Sequence, residues 1–127
     1  MAQREIKYGN AYAKFVVSDG VTVATQTMAI TSAIPKGAII KETHIIAVGA
    51  IESGGSATVQ VIAGGVTCTS LIAKAKLDTA GWTVTETVPE DASAVSSGAD
   101  ITLSIATAAL NGGSEELDII VRYVLLD

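Results

Sequence analysis

Large rings are scarce in this chain. Phe, Trp and Tyr make up 4 % of its residues, so the 49 % that is hydrophobic is mostly Val, Ile, Ala and Leu. That leaves few aromatic platforms for stacking a sugar, and it predicts a core of small aliphatic groups. Cys68 is the only cysteine. An intrachain disulfide is excluded, and Cys68 reads as a small buried apolar residue in a protein that folds in a reducing compartment. His44 is the only histidine, and one Cys with one His cannot build a zinc site of the usual four-ligand kind.

Clustered positive charge is missing too. The formal net charge is −5, and the nearest thing to a basic patch is Lys74 with Lys76. Nucleic acid needs its phosphates neutralised, so no nucleic-acid partner is expected. No apolar run approaches the ~18 residues of a spanning helix, so no membrane partner is expected either. Met1-Ala2-Gln3-Arg4-Glu5 begins with charge and leads into no apolar run, so it does not read as a secretory signal.

What is abundant is β-branched aliphatic sequence cut by glycine. The 127 residues suit one domain with a real core. Val, Ile and Thr fit a pleated surface, and 12 glycines supply the turns of a many-stranded protein. The mean hydropathy of +0.47 is high for a chain without a membrane segment. It hints at apolar surface hidden against other copies.

The stretch that organises the rest is Ile34-Pro35-Lys36-Gly37-Ala38-Ile39-Ile40. Pro35 cannot donate to a ladder and Gly37 accepts a conformation other residues avoid, so the stretch predicts a corner. A long strand is expected from about Ala38 to Ile51, near the middle of a sheet. Its apolar pairs, Ile39-Ile40 and Ile45-Ile46, predict either two covered faces or a bulge near Lys41-Glu42.

Residues 1–10 are mixed and polar and read as an N-terminal arm, with residues 11–127 as one β-sandwich domain. Ser18-Asp19-Gly20 between two β-rich runs predicts a hairpin of the first two strands. Ala57-Thr58-Val59-Gln60-Val61 alternates cleanly, and Gly64-Gly65 ends it. Thr69 to Leu77 reads as two turns of helix or as an irregular crossing between sheets. Trp82 to Val88 and Asp100 to Ala106 are strands, Asn111-Gly112-Gly113 is a second hairpin signal, and Leu117 to Leu125 closes the chain. About eight strands result, spaced as in an antiparallel, jelly-roll-like sandwich.

Chemistry is thin. His44 lies among isoleucines, and no G-x-S-x-G turn marks a nucleophile for it to serve. Glu90-Asp91 with Asp100, or Glu115-Glu116 with Asp118, are candidate calcium collectors, but solvated carboxylates are the simpler reading. The glycine pairs match no phosphate-binding loop. Trp82 reads as a packing residue rather than a sugar platform. No catalytic, cofactor-binding or metal residue is expected, and no cofactor.

The corner Ile34–Ile40, with Gly54-Gly55-Ser56-Ala57-Thr58-Val59, Gly98-Ala99-Asp100-Ile101-Thr102-Leu103 and Leu117-Asp118-Ile119-Ile120-Val121-Arg122-Tyr123-Val124, resembles small β-sandwich virion proteins of tailed bacteriophages. The likeness spans roughly residues 30 to 127. It implies a non-enzymatic virion structural protein, above all a capsid decoration or cement subunit on the outside of the head shell. It also implies a homotrimer, with the major capsid protein or other virion subunits as partners, assembled in the host cytoplasm. The alternatives are a head-fibre or tail component touching the host surface, and a free-standing ligand-binding sandwich.

Overall fold

Alternation along the strands sorts the side chains into an inner and an outer set, and two sheets close over the inner one. The computed structural model describes residues 6–16, 25–27, 29–53, 55–81, 83–87, 98, 101–110 and 115–126. Its strands are β1 (Ile6–Val16), β2 (Thr25–Thr27), β3 (Ala29–Ser32), β4 (Ile39–Ala47), β5 (Thr58–Ala63), β6 (Val66–Thr67), β7 (Ile72–Ala73), β8 (Thr83–Thr87), β9 (Ile101–Ala106) and β10 (Glu116–Leu126). All but the two-residue β6 and β7 are three residues or longer, which matches the expected number of about eight.

The first sheet runs β3-β1-β10-β4-β8, and the second runs β2-β9-β5-β6 with β7 also on β5. Their ladders are antiparallel. The pairs nest: β1 with β10, β2 with β9, β4 with β8, β5 with β6. The chain is thus a ribbon doubled on itself, with its tip at the β5–β6 turn. The ribbon wraps so that β10 meets β4 and β9 meets β5. That is the double Greek key of a jelly roll, with β3 added beyond β1. At the tip, Gly64 and Gly65 have φ of 56° and 78°, as a two-residue hairpin turn that follows the strand twist demands. At the corner, Ala38 N donates to Pro35 O at 3.3 Å and Gly37 has φ 87°, the signature of a type II turn.

The inner layer is aliphatic, as composition predicted. Ala11, Ala13 and Phe15 of β1, Ile45 and Ala47 of β4, and Leu117, Ile119 and Val121 of β10 are buried. So are Val59, Val61 and Ala63 of β5, and Ile101, Leu103 and Ile105 of β9. Each fully buried Val, Leu or Ile contributes roughly 1.5–3 kcal/mol of transfer free energy. Cys68 belongs to this layer. Its Sγ donates to Val66 O at 3.3 Å. Burial pushes its thiol up to about 11, against smaller opposing pulls from the Ala63 backbone and the Thr43 side chain.

Several expectations change. Residues 6–10, expected in the arm, are strand: Ile6 to Asn10 pair with Leu126 to Arg122. The first two strands do not form a hairpin, since β2 pairs with β9 and it is β3 that returns to β1. The Ser18-Asp19-Gly20 turn itself lies outside the described residues, as do Trp82 and Asn111-Gly112-Gly113. The last of these links β9 and β10, which lie in different sheets. The strand after the corner ends at Ala47, and at nine residues it is shorter than the eleven of β1 and β10. It is an interior strand, but β10 holds the centre. Between Thr69 and Leu77 there is no two-turn helix, only β7 and a 3₁₀ turn over Lys74–Lys76.

Candidate functional site

The outer face of the first sheet carries a row of charged side chains and two exposed tyrosines, and a bulge in β4 shapes it. Ile40 and Thr43 are both buried, with two residues between them instead of one. The ladder to β10 shifts register at the same place, between Arg122 and Tyr123. This is the bulge that the Ile39-Ile40 and Ile45-Ile46 pairs foreshadowed, and it turns Lys41 and Glu42 outward together.

Cross-strand register then assembles a polar row. Glu42 pairs with Arg122, and Arg122 with Asn10. Arg122 Nη1 donates to Glu42 Oε1 at 2.9 Å. His44 Nε2 lies 3.2 Å from the same oxygen, and His44 Nδ1 lies 2.9 Å from Thr85 Oγ1 on β8. The His44 hydrogen bond, the strongest influence, holds the Glu42 carboxyl below its ordinary range; burial opposes it, and Arg122 adds a smaller pull in the same direction as His44. Such partly exposed pairs fix side-chain direction more than they add stability.

Beside this row is a cleft of about 590 Å³. Tyr8, Asn10, Lys41, Glu42, Arg122 and Val124 line it. Tyr8 is 79 % exposed and Tyr12, on the same face of β1, is 41 % exposed. Asn10 Nδ2 donates to the Tyr12 hydroxyl at 3.4 Å. Two of the chain's few rings are therefore presented on one face of the same strand. The signal was in the sequence as Tyr8-x-Asn10-x-Tyr12, a period-two set hidden by reading the segment as an arm.

The other candidate residues fall elsewhere. His44 does not line the cleft; it props Glu42. Glu116 and Asp118 come together on β10, where the hydrogen bond to Asp118 and burial pull the Glu116 carboxyl above its ordinary range. Lys14 Nζ reaches Glu116 Oε2 at 3.8 Å. Among the described residues no three His, Cys, Asp or Glu side chains are grouped to hold a metal. Glu90, Asp91 and Asp100 lie outside those residues. No described helix is long and apolar enough to cross a membrane.

The fold defines the class as a jelly-roll β-sandwich. No family model and no curated protein matches the chain. Solved structures do. A chain of the capsid asymmetric unit of cyanophage Pam1 is 15 % identical, with a TM-score of 0.63 over 94 % of this chain and 86 % of that one. A chain from an acid-stable capsid structure of Helicobacter pylori bacteriophage KHP30 is 16 % identical, with a TM-score of 0.50 over 98 % of this chain and 97 % of that one. At these identities the likeness establishes a shared fold.

Proposed function

We propose that this chain is a non-enzymatic structural subunit of a bacteriophage virion, a decoration or cement protein on the outside of the head shell. The observation that carries this is the extent of the likeness. It covers nearly the whole of this chain and most of each capsid chain, so the shared unit is a whole sandwich rather than an embedded motif. A domain devoted to packing also suits a sheet face that neighbours can approach closely. On the second sheet, β5 and β9 turn outward the pairs Thr58–Ala106, Gln60–Ser104 and Ile62–Thr102. None is charged and all are half-buried. Charge is depleted at the centre of subunit contacts, and short side chains let backbones come near. In this reading that face meets a second copy of the chain within a homotrimer, and the trimer sits on the major capsid protein.

Immunogold labelling of intact particles, made by the phage that encodes the chain, tests the assignment. Gold distributed over the head is expected. Gold on the tail alone, or particles whose mass spectra lack the chain, would overturn it. Exposed Tyr8 and Tyr12 favour one second reading, a head-fibre or tail component that touches the host surface; label confined to fibres or tail would select it.

A further inference from the structure

We propose that the cleft on the outer face of the first sheet binds a neutral saccharide, with one pyranose ring stacked on Tyr8. The inference does not depend on the virion assignment, because it rests on the chemistry of the face itself.

Three features converge. The first is the platform. A ring as exposed as Tyr8, standing over a cleft, offers a flat apolar surface to the C–H face of a sugar. Tyr12 stands four residues further along the strand, about 13 Å away, so the face is long enough for an oligosaccharide.

The second is the mixture of donors and acceptors. A sugar hydroxyl both donates and accepts, and neighbouring hydroxyls are best met by planar groups of both kinds. Both contacts to Glu42 use Oε1, which leaves Oε2 to accept. Arg122 spends one Nη1–H on Glu42 and keeps other guanidinium N–H groups to donate. Lys41 adds an exposed ammonium. Asn10 donates to Tyr12 and keeps its carbonyl oxygen as an acceptor. Glu42 is braced from both sides, by Arg122 and by His44, so its carboxylate is held in place before any ligand arrives.

The third is size. At about 590 Å³ the cleft falls within the ~300–1,000 Å³ of small-molecule sites. Other ligand classes fit less well. An anion would find Lys41 and Arg122, but it would also meet the Glu42 carboxylate between them and a chain of net charge −5. A purely apolar ligand would strip water from Lys41, Glu42 and Arg122 without replacing its hydrogen bonds.

Saturation-transfer NMR on the full chain tests this. The probes are maltotriose, cellotriose and triacetylchitotriose, with trigalacturonate as the anionic comparator. Transfer to at least one neutral probe is expected, with an affinity of about 1 mM, the usual scale for a shallow open site. Tyr8→Ala should weaken it at least about tenfold, the effect of losing roughly 1.4 kcal/mol, while leaving the circular dichroism and unfolding midpoint unchanged. Glu42→Gln should weaken it too, and Val48→Ala, exposed but away from the cleft, should not. The proposal is overturned if no neutral probe shows transfer at about 10 mM, if Tyr8→Ala binds the neutral probe as tightly as the parent chain, or if trigalacturonate binds more tightly than every neutral probe.

Discussion

The two sheets bury the same kind of side chain and expose different kinds. Inward, both present mainly Val, Ile, Leu and Ala, with Phe15 and Thr43 added on the first sheet. Outward, β1, β10 and β4 carry Tyr8, Asn10, Lys14, Glu42, His44 and Arg122, whereas β5 and β9 carry Thr, Ser, Gln, Ala and Ile with no charge. The inner faces are constrained by one another, since each fills the space the other leaves. The outer faces are free to diverge, so function is written there. A bulge separates the two further: on the first sheet it turns out two neighbouring charged residues, Lys41 and Glu42, together, and among the described residues the second sheet has no such pair.

The largest expected effect tests the inner-versus-outer contrast on a single strand. Ile45 is fully buried, while its neighbour Ile46 is half-exposed between Asp118 and Thr83. Ile45→Ala should cost about 2–5 kcal/mol, because it opens a cavity in the closed layer. Ile46→Ala should cost about 1 kcal/mol or less. Urea titrations of both variants measure the difference; equal losses would mean that the outer face is covered as the inner one is.

The second test sets sheet against sheet. Ser104 sits mid-face on the second sheet and Thr83 is exposed on the first. Ser104→Lys is expected to reduce the light-scattering mass from an oligomer to the 12.9 kDa of one chain, and Thr83→Lys to leave the oligomer intact. A parent chain that is monomeric at every concentration, or a loss of mass in Thr83→Lys instead, would remove the second sheet from the proposed contact.

The same contrast explains what could be read from the sequence. The inner layer was legible, because burial imposes period two on Ala57-Val59-Val61 and Ile101-Leu103-Ile105 whatever the topology. The two isoleucine pairs offered a bulge near Lys41-Glu42 as one of two readings, beside two covered faces, and the register shift in the ladder to β10 decides for the bulge. Strand partners were not legible. Asp19-Gly20 and Gly112-Gly113 announce reversals, but a jelly roll sends the chain across to the opposite sheet, and no local residue records that choice. In the nested ribbon β1 finds β10 across almost the whole chain. The candidate cleft was legible only in part, because it needs Tyr8 from β1, Glu42 from β4 and Arg122 from β10, and their meeting is a matter of register.

The smallest expected effect divides the first sheet's own outer face. Glu42 and Glu116 both lie there, and their carboxyls shift in opposite directions. The Glu42 carboxyl, drawn down by His44 and Arg122, gives up fewer of its contacts while it stays ionised. Its contribution is present above its unfolded pKa and is lost as pH falls through the folded one. The Glu116 carboxyl, drawn up by Asp118 and burial, behaves in reverse: its contribution is present below the unfolded pKa and is lost as pH rises through the folded one. Glu42→Gln should therefore flatten the acid limb of the stability profile, whereas Glu116→Gln should steepen it and add a little stability at neutral pH. Thermal midpoints measured from pH 3 to pH 7 separate the two. Parallel profiles for both variants would show that these carboxylates are equally solvated, and that the register which brings Glu42 to Arg122 fixes geometry without biasing charge.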